Sequence, residues 1–341
     1  MLKEDTLFFK GIAISMMLWL HLFSNIEIIE ECEHSLLFLN GKPLVYVLTK
    51  IASCCVPLYI FLGGYGLAKT YQNKKNHSMH NGRRALSLYV NYLIVFALFI
   101  PLGCIINPNL YPGNILILLL NLCGLIYTYN GAWWFLLPYI ILTVFSYFII
   151  HRLFANNIKQ DILALIFSGV LYVLCYILKE IYIPKNVLEH ILLVFINCIF
   201  MLFFFVVGIL YVKYDLIQKS LDKLHYLSNK SLFAILILIC FIKLLLGNSS
   251  IINLPFVLLF IPLMVSINKA NYINKLFIFL GKHSANMWLT HYFFCWYIFG
   301  NRIYKLYYPI VIFLCLILLS ILSSFVIKSL FTPLKKMIRK E

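Results

Sequence analysis

The chain has 341 residues, 63% of them hydrophobic and only 12% charged, with a mean hydropathy of +0.92. A chain of this kind cannot bury its apolar surface as a water-soluble globule, which excludes the soluble classes and predicts an all-α polytopic membrane protein. The net charge of +16 would suggest a nucleic-acid partner in a soluble protein. No basic patch with interleaved aromatics lies outside the apolar runs, however, and the Lys and Arg that orient membrane spans account for the excess without nucleic acid.

Apolar runs fall near residues 7–26, 44–68, 86–106, 114–129, 132–150, 162–178, 188–212, 231–246, 250–267, 284–300 and 308–327. The first follows Lys3 and Lys10 as in a signal peptide, but no small-residue cleavage site comes after it, so it reads as an uncleaved first helix. If all eleven runs crossed with the N-terminus inside, the 28 Lys and Arg would divide 12 inside and 16 outside, against the expected bias. If 114–129 instead enters and leaves on the outer side, they divide 21 and 7. That run is short for a span, carries Asn121 and Gly124, and is followed by "YNGAWW". The expected architecture is therefore about ten transmembrane helices with one additional re-entrant or interfacial segment, both termini cytoplasmic. One domain covers 1–341, ending in a basic cytoplasmic tail from about 328. Oligomeric state has no signature.

Ionisable groups inside a bilayer are costly, so each is a functional candidate. All twelve Asp and Glu lie in loops, tails or span ends, which argues against paired-carboxylate chemistry and leaves histidine as the acid or base near neutral pH. No CxxC occurs among the ten cysteines, and His77 and His80 in "HSMH" lack further ligands nearby, so no metal site is expected. His21 and His291 are the histidines well inside apolar runs.

In "FFKGIAISMMLWLHLFSN", Lys10 and His21 are eleven residues apart, which places them on one helix face about 16 Å apart along the axis. Two readings fit the pair alone: a lysine reaching the inner boundary with a histidine satisfying an interior hydrogen bond, or two ends of one functional path. In "LGKHSANMWLTH", Ser284, Trp288 and His291 line one helical stripe, as a polar seam between helices or as part of a site. Arg83 and Arg84 open an inner-side helix, where they either enforce orientation or meet phosphate.

These stretches, with "GRRALSLYVNY" and "AWWFLLPY", resemble the integral-membrane acyltransferase type 3 family, bacterial enzymes that O-acetylate extracytoplasmic glycans. The family more often has arginine where this chain has Lys10, and many members have an acidic residue where it has Leu7. The resemblance implies a bacterial cytoplasmic membrane protein with no permanently bound cofactor. It implies acetyl-CoA or another short acyl-CoA as donor, and a hydroxyl of a lipid-linked or cell-surface saccharide as acceptor. Lys10, Arg83 and Arg84 would then meet the phosphates of CoA, and His21 would be the general base or form an acyl-histidine. Ser284, Trp288 and His291 would orient the acyl group or its oxyanion, and Trp133 and Trp134 would offer stacking faces to a sugar. The rival is a transporter or lipid-linked glycan carrier with His21 and His291 as relays, although no matching pair of interrupted helices is visible.

Overall fold

The computed structural model describes residues 1–30, 37–39, 41–73, 78–184, 186–247 and 250–338. His77, the side chain of His80 and Cys32 lie outside the described residues. The chain is helical almost throughout. In order come α1 (Lys3–Phe23), the short α2 (Ile26–Glu30), a two-residue β-hairpin (Phe38–Leu39 with Lys42–Pro43), α3 (Leu44–Ala52), α4 (Cys55–Asn73), α5 (Ser78–Ile106) and α6 (Ile115–Leu122). A 3-10 turn (Gly131–Phe135) leads into α7 (Leu136–Ala155), followed by α8 (Ile158–Ile181), α9 (Val187–Lys213), α10 (Leu216–Leu224), α11 (Asn229–Leu246) and α12 (Ser250–Ser266). Then come α13 (Asn271–Tyr292), a π-helical turn (Phe293–Tyr297), a second 3-10 turn (Gly300–Leu306) and α14 (Pro309–Ile338). Among the described residues, eight helices are long and apolar enough to cross a membrane.

Local chemistry sets many of these boundaries. Asn114, Asn157, Asn186 and Ser228 each cap the helix that follows by accepting a backbone N–H with the side-chain oxygen. The apolar run at 44–68 is broken between α3 and α4 because Pro57 lacks an N–H and its ring excludes a helical carbonyl at Ser53. The run at 114–129 yields a helix of only eight residues, α6, about 12 Å long and far short of a bilayer core. Its flanks are tied down by polar bonds. Asn121, fully buried, donates to the Ile117 carbonyl and Thr128 Oγ1 and accepts from the Tyr129 N–H, while Tyr111 donates to the Tyr129 carbonyl.

Helices α5 and α7 run antiparallel, since Asn81 at the start of α5 donates to Ser146 late in α7 and Tyr92 further along meets Trp133. Residues 107–130 therefore leave and re-enter the bundle at one end, the end that also holds His21. The α8 and α9 helices form a hairpin closed at that end, and their opposite ends are tied by an ion pair between Asp161 and Lys213 that Tyr214 supports. Asp161 is buried, so the lysine, which also donates to the Leu153 and Asn156 carbonyls, satisfies a charge that would otherwise be strongly destabilising.

The closest packing is between α1 and α13, which run parallel. A Cβ on Gly11 would lie 1.9 Å from the Phe277 carbonyl oxygen, and one on Gly281 would lie 1.9 Å from that of Leu7. Only glycine lets the two backbones touch, the close approach that small residues allow between membrane helices. A second glycine contact joins α4 to α9, where Gly64 and Gly208 meet the backbones of Phe205 and Phe61.

Candidate active site

The Gly11–Gly281 contact determines what meets further along. His21 is ten residues beyond Gly11, and His291 is ten beyond Gly281, so two parallel helices carry both imidazoles about 15 Å in the same direction. Their rings stack with centroids 5.2 Å apart and planes 29° from parallel. Tyr292 meets His21 from the next position on α13, with its hydroxyl 2.5 Å from His21 Nδ1. Consecutive residues on a helix point about 100° apart, so His291 and Tyr292 grip the His21 ring from two sides. The π-helical turn then begins at once, and it carries Trp296 to where its indole N–H donates to the His21 carbonyl at 3.1 Å. Such turns recur where a helix must re-aim side chains at a site.

The hydrogen bonds assign the proton on His291. Nδ1 lies 2.8 Å from the Trp288 carbonyl and 3.2 Å from that of Met287, and carbonyl oxygens only accept, so Nδ1 carries the hydrogen. In the neutral ring Nε2 then presents a lone pair, and this atom is buried without a hydrogen-bond partner. For His21 the tyrosine decides. If the Tyr292 hydroxyl accepts from Nδ1–H, Nε2 of His21 is a free base; if it donates, Nε2 carries the proton.

Below the histidines lies a cavity of about 100 Å³, lined by Lys10, Met17, Tyr59, Tyr139, Ser284 and Trp288 among others. Met17 is one turn before His21 and Trp288 three residues before His291, so the cavity's upper wall adjoins the histidine pair. Its lower end is Lys10, which also lines an open cavity of about 790 Å³ with Lys3, Lys69, Thr70 and Arg84. Four basic side chains and no acidic one line that outer cavity among the described residues. Arg84 also donates to Thr70 Oγ1 at 3.2 Å. A basic vestibule, a largely apolar cavity that shares Lys10 with it and, one turn beyond that cavity's Met17, the histidine pair thus lie in series along α1.

The residues singled out in the sequence divide accordingly. Lys10 and Arg84 share the vestibule, whereas Arg83 lines neither cavity. Ser284, buried, donates to the Gly281 carbonyl and lies seven residues before His291, about 10 Å down α13, too far to steady an oxyanion at His21. Trp288 walls the cavity, and its indole N–H donates to the Ala132 carbonyl at 3.0 Å. Trp133 requires a correction. It is only 2% exposed, its N–H donates to the Leu289 carbonyl, and its ring packs against Tyr92 and Phe293, so it offers no face to a sugar. It clamps the 131–135 turn to α13. Trp134 is half-buried and faces the opposite way, toward α8, where the Lys179 ammonium lies 4.4 Å from its ring centroid.

Tyr292 was missed because a tyrosine following a histidine carries no periodic signal; its partner emerges only when α1 docks. A second polar seam was missed for the same reason. Asn91 of α5 donates to Asn286, which donates to Ser324 of α14, and His283 shares that serine. Among the described residues no group of three His, Cys, Asp or Glu could hold a metal ion.

The acyltransferase domain model matches residues 8–329, nearly the whole chain. The chain belongs to the acyltransferase 3 family. No curated protein and no solved structure matches it. Family membership and the long apolar helices make this a membrane acyltransferase, and the histidine pair, one turn beyond the cavity that shares Lys10 with the basic vestibule, is its candidate active site.

Proposed function

We propose that this acyltransferase moves an acetyl or other short acyl group from cytosolic acyl-CoA to a hydroxyl of an extracytoplasmic or lipid-linked saccharide. The carrying observation is the serial arrangement along α1, from the vestibule of Lys3, Lys10, Lys69 and Arg84, past the cavity lined by Tyr59 and Ser284, to His21. A CoA ester has this polarity: several negative phosphates at one end, then a long thin arm, then a thioester. Its charged end suits the vestibule, where Arg84 can fork onto phosphate and Lys10 and Lys69 supply point charges. The arm suits a narrow cavity, and the roughly 16 Å from Lys10 to His21 is a span that such an arm bridges.

In this reading Tyr292 accepts from His21 Nδ1–H, which leaves Nε2 as the base. The acceptor hydroxyl gives its proton to Nε2 as its oxygen attacks the thioester carbonyl; the C–S bond then breaks and the CoA sulfur takes the proton back. The orientation that serves this chemistry places the vestibule in the cytoplasm and His21 near the outer surface of the bacterial cytoplasmic membrane. There are ten crossings, residues 107–130 lie on the outer side, and both termini are inside.

Labelled acetyl-CoA supplied to membranes tests the reading. Label is expected to enter glycan with the wild type, and the rate is expected to fall about 10²–10⁴-fold with His21→Ala, the range for losing a general base. Unchanged transfer by the variant would remove His21 from the chemistry.

A further inference from the structure

The ion pair that ties α8 to α9 leaves one atom over. Lys213 and the Tyr214 hydroxyl both donate to Oδ2 of Asp161, whereas Oδ1 of this residue, which is only 2% exposed, is buried without a hydrogen-bond partner. An ionised carboxylate offers about four acceptor positions and buried polar atoms are overwhelmingly paired, so the bare oxygen marks a place for a further donor. Asp161 lines a cavity of about 550 Å³ between α8, α9 and α12, a volume within the roughly 300–1,000 Å³ of ligand-holding clefts. The cavity lies at the end of the bundle away from His21, because Lys213 also holds the end of α7 through the Leu153 and Asn156 carbonyls. The other charged residue in its lining is Lys219 of α10. Asp215 and Asp222 stand one turn to either side of Lys219, yet among the described residues neither forms an ion pair with it, and Asp222 accepts from Gln218.

From this charged end the wall turns apolar. Along α9 the lining runs from Tyr214 through Leu210 and Val207 to Phe203, eleven residues or about 16 Å of helix, which is about half of a hydrocarbon core of roughly 30 Å. The exposed Ile158 and Ile162 of α8 form its lateral rim. Two opposite charges at one end of the bundle, followed by an apolar groove one leaflet deep, match a zwitterionic lipid. We propose that this cavity binds an aminophospholipid of the leaflet at the vestibule end, its ammonium donating to Asp161 Oδ1, its phosphate at Lys219 and one acyl chain along Val207 and Phe203. The site goes beyond the acyl-transfer reading and does not rest on it, since that chemistry uses neither charge. The ammonium N–H decides the headgroup. A choline has no such hydrogen to give, and a glycerol headgroup brings an uncompensated negative charge beside the carboxylate.

The full chain, purified in a non-ionic detergent and titrated with three phospholipids of identical acyl chains, tests this, with bound lipid counted by native mass spectrometry. Phosphatidylethanolamine is expected to bind about tenfold or more tighter than phosphatidylcholine or phosphatidylglycerol, the gain from one hydrogen bond to a charged group. Ile162→Trp is expected to fill the cavity from its exposed rim and abolish binding of all three, and Lys219→Gln to weaken all three alike. Asp161→Leu with Lys213→Met removes the ion pair as a unit, an exchange that folded proteins tolerate, and is expected to erase the preference for the ethanolamine lipid. Thermal unfolding of the lipid-free proteins confirms that each variant folds, and if the double variant does not, Ile162→Trp decides alone. Equal binding of the ethanolamine and choline lipids, tighter binding of the glycerol lipid, or a preference that survives either Ile162→Trp or the double substitution would overturn the site. The readout needs no acyl donor, so it stands or falls apart from the transfer reading.

Discussion

Helices α1 and α11 are both long and apolar, yet 56% of the apolar window of α1 is buried inside the protein against 11% for α11. The outer helix turns Ile237 and Leu245, each 68% exposed, toward the surroundings and buries Leu232 and Lys243. The inner helix meets α13 with Gly11 and carries Lys10, Ser15 and His21 among its apolar neighbours. A shared length and apolar character conceal opposite duties. In a bilayer the apolar helix surface gains little from leaving lipid, so the inner pair is held by backbone contact and hydrogen bonds, and its polar side chains line the candidate site.

That contrast can be broken most severely at the glycine contact. Gly281→Val is expected to drive its side chain into the Leu7 carbonyl, already 1.9 Å from a bare Cβ, and to cost about 3 kcal/mol or more. Loss of the monodisperse protein on size-exclusion chromatography in detergent checks it, and a folded, active Gly281→Val protein would mean that the helices are not in contact. Tyr292→Phe leaves the packing and removes one hydrogen bond from His21. The expected result is a fall of about tenfold in kcat with the donor KM unchanged, measured as label transfer at saturating acetyl-CoA. Arg84→Gln is expected to raise the donor KM a few-fold and to flatten its dependence on salt, since an exposed guanidinium acts through screened charge. Ile237→Ala on α11 is expected to change thermal stability by less than about 0.5 kcal/mol, and a larger loss would place that face against a partner.

The sequence reveals the site unevenly, and the reason is geometric. Lys10 and His21 are legible because a single helix fixes their relation: eleven residues are three turns wherever the helix lies. The same holds for Ser284, Trp288 and His291 as a stripe, but not for the distance of each from His21, which depends on how α13 docks. Hence Ser284 belongs to the cavity rather than to the reacting end. Tyr292, Asn91 and Asn286 acquire their roles from contacts hundreds of residues apart in sequence, and no periodicity announces them. Trp133 misleads because its interfacial position predicts an exposed ring, whereas its indole N–H has a backbone acceptor on another helix. Run lengths convey the overall helical build, but the break at Pro57, the eight-residue α6 and the run at 284–300, where α13 starts at Asn271 and gives way to a π-helical turn at Phe293, depart from a reading of apolar runs as whole helices.

Because Gly11 and Gly281 bring two peptide backbones together, α1 and α13 have no sliding freedom of the kind that side chains with slack would allow. A shift of one helical turn, about 5.4 Å, would separate His21 from both His291 and Tyr292. The distance between His21 and its partners is therefore locked by the main chain, and any movement that opens this region must come from what surrounds the pair: the vestibule side chains below, and the 107–135 segment above.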